Sequence, residues 1–330
     1  MNTTALPVQA DGEGDPPGTP EPRSPGLSSR PVIPLRHPGR WIVTAIALVL
    51  LAQYIHGLAT NPFYEWPRVG YWFTRPVILS GLRVTLVTTA WSALFGFAGG
   101  VVLALCRLSR SPLLRVVAWA YIWFFRSVPL IVVLLFLFNF SAVYKTLSLG
   151  IPFGYEVAHF NTVTLLSYEV IGIVGLSVNE AAYAAELVRG GILAVDQGQI
   201  EAANALGLPR FRQLRRVVLP QALRTIVPGY VNQLIGLIKA SALLYYVSLT
   251  DLFGAVQQMG STYPSDIIPT LEVAALYYLI LTTILSVIQY YIERFFARGA
   301  VRTLPPTPLQ RLRDSLSGLR NQAANAWTRS

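Results

Sequence analysis

The sequence predicts an all-α membrane protein with six transmembrane helices, on three observations. Of its 330 residues, 53% are hydrophobic and only 13% are charged, whereas a soluble domain is about 25% charged. Six long apolar segments follow one another, each long enough to cross a hydrocarbon core of about 30 Å. The basic residues are divided very unequally between the two sides of these segments.

The chain begins with a segment rich in proline, glycine and serine. Residues 1–38 carry almost no periodic apolar pattern, so they cannot bury enough surface to offset the entropy of ordering, and we predict a disordered tail. The apolar run starts too late for a signal peptide, and no small-residue cleavage site follows it. We predict the first transmembrane helix over residues 39–60, where a long stretch lacks Asp, Glu, Lys and Arg.

Five further segments are long and mostly apolar. In lipid their backbone groups can be satisfied within the segment only in an α-helix, and alternating strands of the kind found in β-barrels are not seen. The predicted spans are Val77–Leu105, Val116–Phe140, Thr162–Val188, Thr225–Leu249 and Ile267–Ile292.

The basic residues predict the orientation of these spans. Twenty of the 26 lie before span 1, between spans 2 and 3, between spans 4 and 5, or after span 6, and only four lie on the opposite side. Lys and Arg accumulate in cytoplasmic segments. We therefore expect both termini in the cytoplasm, including a C-terminal tail over residues 299–330. Because topology explains the net charge of +10, it does not indicate a nucleic-acid partner.

Several enzyme classes lack their required residues. Cys106 is the single cysteine, so there is no disulfide framework and no thiolate metal site. The three histidines show no zinc-hydrolase spacing, and neither lysine follows a glycine as a phosphate-binding loop requires. We expect no enzyme activity, no metal and no cofactor in this chain.

The loop at about 195–222, between spans 4 and 5, carries the most specific pattern. Its alanine-rich start predicts a short helix, Gly207 can supply the positive-φ turn that ends it, and Pro209 can begin a second helix. Pro220 is predicted to end that second helix before span 5. The result is a helix–turn–helix elbow; a basic loop lying on anionic lipid explains the same residues. The residues singled out are Glu201, Ala202, Ala203, Ala205, Gly207, Leu219 and Pro220.

This pattern of Glu-Ala-Ala, a glycine four residues later and a distal Leu-Pro resembles the EAA loop of ABC importer permeases. Neighbouring blocks are similar to the polar amino-acid subfamily, and the resemblance extends over about residues 80–298. It departs from the family in having Val217 instead of isoleucine and in lacking a carboxylate beside Lys239. The blocks are Thr85-Leu86, Arg126-Ser127-Val128-Pro129-Leu130, residues 182–191 (AYAAELVRGG), Gly198-Gln199, Leu219-Pro220-Gln221-Ala222, and Asn232 followed by Lys239.

The resemblance implies a five-helix type I ABC importer core over residues 77–298, plus one extra N-terminal helix. It implies a permease subunit that moves a polar amino acid across the cytoplasmic (inner) membrane. The implied partners are a cytoplasmic ABC ATPase dimer that uses the ATP, a second permease copy or a paralogue, and an extracytoplasmic solute-binding protein. By the same resemblance, the helix ending near Gly207 is the coupling helix that inserts into the ATPase.

Polar residues inside the spans are candidates for a translocation path, because an ionisable group in the membrane usually faces protein or water. Four are candidates: Arg126, Glu180, Tyr183 and Lys239. Each also has a structural interpretation. Arg126 could bond carbonyls freed by Pro129, and Glu180 could pair with Arg126 or Lys239. Glu186 and Arg189 are predicted to form an ion pair, and Gly96 and Gly100 to serve helix packing.

Three other functions explain part of the sequence. A permease for another small solute would have the same loop. An ion-coupled secondary transporter would have similar membrane spans, and an intramembrane enzyme would also carry polar groups within its spans. No inverted repeat with paired broken helices supports the second, and no catalytic spacing supports the third.

Overall fold

The computed structural model describes residues 38–150 and 156–296, in two compact units that divide at Asn61 and Pro62. In the first unit, α1 (Pro38–Thr60) coincides with the predicted first helix. Its apolar residues are exposed all round, as expected of a helix surrounded by lipid. The tails predicted at 1–38 and 299–330 lie outside the described residues, apart from Pro38 at the start of α1.

The second unit contains twelve further α-helices and one hairpin within the described ranges. Short 3₁₀ turns cover Pro62–Tyr64, Ser241–Val247 and Pro264–Asp266, and a π-helical turn covers Leu214–Val218. The elements in order are α2 (Trp66–Phe73), α3 (Pro76–Leu108), α4 (Pro112–Ser127), α5 (Leu130–Phe138), α6 (Phe140–Val143), β1 (Thr146–Gly150), β2 (Glu156–Asn161), α7 (Thr162–Leu165), α8 (Tyr168–Leu193), α9 (Gln197–Ala205), α10 (Arg210–Gln213), α11 (Leu219–Ala240), α12 (Leu252–Thr262) and α13 (Ile267–Phe296).

Four helices, α1, α3, α8 and α13, are individually long and apolar enough to cross a membrane. Two bent pairs also qualify: α4 with α5, bent by 99°, and residues 210–247 with α12, bent by 49°. Counting each pair as one span gives six, which agrees with the predicted number, although the number itself stays a prediction. The third predicted span is therefore broken. Pro129 precedes α5 and cannot donate the backbone hydrogen bond that a continuous helix needs.

Helices α3 and α8 form the centre of the unit and run parallel in close contact. A Cβ added at Gly96 would lie 2.7 Å from the Glu180 side chain, and one at Gly100 would lie 2.5 Å from the Ala184 Cβ. The predicted packing role of these two glycines is confirmed. The contact also places the C-terminal ends of α3 and α8 on the same side of the membrane, which we call the elbow side.

On the opposite side, a buried carboxylate joins three helices. The Asp251 side chain accepts a hydrogen bond of 2.9 Å from the Gly254 backbone and so caps α12. It also accepts hydrogen bonds from the Thr85 hydroxyl of α3 at 3.3 Å and the Tyr278 hydroxyl of α13 at 3.4 Å. These contacts fix α12 after the bend of the fifth span.

Helix α2 is attached to the start of α13. The Trp72 indole donates a hydrogen bond of 2.9 Å to Asp266, and Arg68 bridges Asp266 and Glu65. The Trp72 side chain is also buried, which ties α2 into the core of the unit.

One short hairpin was not predicted from the sequence. Strands β1 and β2 pair antiparallel, with Thr146 opposite Asn161 and Ser148 opposite His159. The fourth span begins after the hairpin, at Tyr168 rather than at Thr162. The strands give only a weak alternating pattern in the sequence, because each has at most six residues.

Candidate functional site

The elbow predicted from the sequence is present between α8 and α11. Asp196 caps α9, its side chain accepting a hydrogen bond of 2.7 Å from the Gly198 backbone. Gly207 has φ +67°, the left-handed conformation that favours glycine, and the Leu208 backbone donates to the Ala203 carbonyl at 3.1 Å. Both the helix and the glycine turn of the prediction are confirmed.

The second half of the elbow differs from the prediction at Pro220. Helix α10 begins directly after Pro209, as predicted. Pro220, however, lies in the first turn of α11, where a proline needs no hydrogen-bond partner for its nitrogen. The chain therefore continues from α10 through the π-helical turn into α11, and the prediction that Pro220 ends a helix is wrong.

The two arms of the elbow are tied together by one side chain. The Gln213 amide of α10 donates to the Ile200 carbonyl at 3.0 Å and to the Asn204 side chain at 3.2 Å, both in α9. The arms therefore form one structural unit instead of two independent segments.

The alanines singled out in α9 differ in their exposure. Ala203 is buried, whereas Ala202 and Ala205 are exposed together with Glu201. Two large apolar residues that the prediction did not single out are also exposed: Leu206 at 79% and Phe211 at 71%. The sequence around Leu206 and Phe211 did not mark them as a binding surface, since an isolated exposed apolar residue is common on any protein surface.

Two of the four predicted path residues meet in one cavity. The Arg126 guanidinium lies 5.3 Å from the centre of the Tyr183 ring. Both line a cavity of about 440 Å³ between α3, α4 and α8, together with Arg107, Trp119, Ile122, Trp123, Ser127 and Glu186. Arg126 is exposed to this space and is not held by carbonyls freed at Pro129, so the structural interpretation of Arg126 is wrong.

Glu180 does not reach this cavity. Its side chain is 6% exposed and lies against Gly96, and its Oε1 atom has no hydrogen-bond partner. Within the part of the chain that the structure describes, no ion pair joins it to Arg126 or Lys239. The neighbouring carboxylate behaves as predicted, because Glu186 pairs with Arg189 at 2.7 Å.

Lys239 lies on α11, away from the other three candidates. It is exposed, as are Gly236 and Asn232, which precede it by three and seven residues. Residues at this spacing share one face of a helix. The face carries an ammonium group, an amide and an open glycine, since a Cβ at Gly236 would meet no atom within 4 Å.

No group of three or more His, Cys, Asp or Glu side chains in residues 38–150 and 156–296 could hold a metal ion. A chain of membrane-crossing helices with a structured elbow on one side fits the class of transport permeases.

The family is shown by comparison. Residues 96–298 match the family described as binding-protein-dependent transport system inner membrane component, and this chain belongs to that family. It is 39% identical over 286 residues to the arginine transport system permease protein ArgU of Corynebacterium glutamicum, which covers 86% of this chain and 88% of that one. The predicted membership of the ABC importer permeases is confirmed.

Two further comparisons agree. The arginine transport system permease protein ArtQ of Bacillus subtilis is 35% identical over 221 residues, which is 66% of this chain and 92% of the relative. A crystal structure of an amino acid ABC transporter with histidines has a TM-score of 0.56 and 31% identity, covering 66% of this chain and 94% of that one.

Proposed function

We propose that this chain is the permease of an ABC importer for a polar amino acid, and that the amino acid is arginine. The single observation that carries the substrate is the likeness to ArgU, which extends over 86% of this chain. The membrane helices and the elbow supply the two parts that such a permease needs, a route across the lipid and a contact for an energy source.

The elbow is the contact with a separate ATPase dimer. Leu206 and Phe211 expose large apolar surfaces on the elbow, where they contact no core cluster. Burying such side chains in a partner's groove is favourable by about 1.5–3 kcal/mol each. ATP is bound and hydrolysed by the partner, since neither lysine of this chain lies in a phosphate-binding loop. Glu201, Ala202 and Ala205 complete the docking face, and Leu219 and Pro220 lie exposed at the start of α11.

The translocation path runs along the polar face of α11. An ammonium group such as that of Lys239 is costly against lipid, so this face needs water or another protein subunit beside it. A second permease, either a copy or a paralogue, supplies the opposite wall. Glu180 lies buried behind this path, and Arg126 and Tyr183 open into the separate cavity considered below.

The unequal distribution of basic residues supports an orientation with the elbow side in the cytoplasm and both termini on that side. A solute-binding protein then delivers the amino acid at the side of α2 and the hairpin. Nucleotide-driven closure of the ATPase dimer moves the elbow and changes which side of the path is open.

The coupling is tested with Phe211→Ala, measured in the complete transporter reconstituted in vesicles with its binding protein. Truncating a central anchor of an interface commonly costs 2 kcal/mol or more, so we expect substrate-stimulated ATP hydrolysis and arginine uptake to fall about tenfold or more. Membrane insertion should not change, because the side chain is 71% exposed.

Leu113→Ala is the matched control, since Leu113 is 70% exposed but lies on α4. It should retain both activities. Normal uptake by the Phe211 variant would contradict docking at the elbow, and uptake without ATP would contradict the ABC mechanism altogether.

A further inference from the structure

We propose that the 440 Å³ cavity between α3, α4 and α8 binds the phosphate headgroup of an anionic phospholipid in the leaflet on the elbow side. Only the name of that leaflet, cytoplasmic, depends on the proposed orientation. The lipid site itself is independent of the transported substrate.

Two hydrogen bonds hold α4 against α8. The Tyr121 hydroxyl donates to the Val178 carbonyl at 2.9 Å, and the Asn179 amide donates to the Phe125 carbonyl at 2.9 Å. Helix α4 is also bent by 99° from α5, with which it forms one candidate span.

The two flanks of α4 face different surroundings. One flank carries Trp119, Trp123 and Arg126, spaced as neighbours on one face, and all three line the cavity. The two indole rings are stacked, with centres 6.2 Å apart. Arg107, from the end of α3, lines the same cavity and marks its elbow side. Tryptophan and arginine together are typical of the headgroup level of a membrane.

The cavity contains more positive than negative charge. The buried Arg107 Nε has no hydrogen-bond partner, and the Arg126 guanidinium lies over a tyrosine ring. Glu186, which also lines the cavity, is paired with Arg189 at 2.7 Å and 3.0 Å and interacts electrostatically with Arg107 and Arg126. One carboxylate thus faces three guanidinium groups, and the excess positive charge matches a phosphate, which accepts several charge-assisted hydrogen bonds.

The other flank of α4 suits hydrocarbon. An apolar groove of about 330 Å³ lies at the bend between α4 and α5 and is lined by Phe124, Val128, Val132, Phe136 and Val174, among others. A phospholipid presents an anionic headgroup and acyl chains, which are the two chemistries found on the two flanks. An amino acid has no hydrocarbon chain of that size, so the lipid fits this part of the molecule better.

The test measures lipid retention by native mass spectrometry. The complete transporter is incubated in mixed micelles of equal phosphatidylglycerol and phosphatidylcholine. We expect the wild type to retain phosphatidylglycerol preferentially, and the variant Arg107→Gln/Arg126→Gln to lose that preference by about tenfold or more, since each basic residue contributes separately. Arg107→Lys/Arg126→Lys should retain most of it because the charges remain.

Arg110→Gln is the matched control, because Arg110 is exposed three residues from Arg107 and does not line the cavity. Equal retention by the control and the glutamine pair overturns the proposal. Displacement of the lipid by an equal concentration of inorganic phosphate also overturns it, because it would indicate a site for a free anion.

If the glutamine pair retains the lipid unchanged but has a raised half-saturation for amino-acid uptake, the cavity belongs to the translocation path and the proposal is wrong. If the glutamine pair does not assemble, Arg126→Gln alone decides, with a smaller expected loss of about threefold.

Discussion

Glu180 is a buried carboxyl group with no ion-pair partner among residues 38–150 and 156–296. Desolvation penalises its charged form, and the Oε1 atom gains no hydrogen bond in compensation. The sequence places Glu180 in the correct span but offers Arg126 and Lys239 as partners. It cannot decide between them, because the contact depends on how α4 and α11 are rotated. The structure shows that neither is engaged.

We expect Glu180→Gln to leave the thermal unfolding midpoint of the purified complex unchanged or to raise it. Glutamine preserves the shape that packs against Gly96 and removes the charged form that burial disfavours. Glu186→Gln is the control and should lower the midpoint modestly, because it loses the ion pair with Arg189. A larger drop for Glu180→Gln than for the control would show that Glu180 has an ion-pair partner in the complex.

The α3–α8 contact depends on small residues. Among the described glycines, Gly100 stands 2.5 Å from the Ala184 side chain once a Cβ is added, whereas Gly190 meets nothing within 4 Å. Two glycines spaced by four residues were sufficient to predict the close approach from the sequence, because small residues allow helix backbones to pack tightly in membranes. The partner helix was not predictable from one sequence.

Gly100→Ala is expected to destabilise the permease by about 1–3 kcal/mol, the usual cost of forcing a methyl group into a packed contact. The unfolding midpoint of the reconstituted protein measures it. Gly190→Ala, also in a helix, should be neutral or slightly stabilising by about 0.5–1 kcal/mol, because alanine has the lower entropic cost of ordering. Equal effects of the two substitutions would contradict close packing at Gly100.

At the scale of the whole molecule, the long spans, the elbow and the membrane class followed from periodicity, glycine and hydrophobicity. The breaks did not. The 99° bend after Ser127 and the continuous helix through Pro220 both involve prolines, and a proline starts a helix as readily as it ends one. The hairpin β1–β2 was not predicted because its strands are short. The 440 Å³ cavity was not predicted because its lining residues come from three helices that are brought together only by the fold.

The proposed path along the polar face of α11 needs a second wall. In a background in which Cys106 is replaced by Ser, Gly236→Cys should be cross-linked to a second permease by a short bis-maleimide, since Gly236 lies in the middle of that face and is open. Leu279→Cys, 61% exposed on α13, is the control expected to remain monomeric on a denaturing gel. Cross-linking of Leu279→Cys alone would place the second permease elsewhere.

Because the helix does not stop at Pro220, residues 210–247 behave as one rod. Arg210 and Lys239 are 29 residues apart in that rod, a length of about 44 Å at 1.5 Å per residue. A tilt imposed at its elbow end is therefore carried to the ammonium group of Lys239 as a sideways displacement. Two places in the helix can bend and absorb part of it: the π-helical turn Leu214–Val218, and Pro228, which removes one backbone hydrogen bond. The helix thus serves as a lever arm, and Pro228 lies closer to Lys239 than to Arg210.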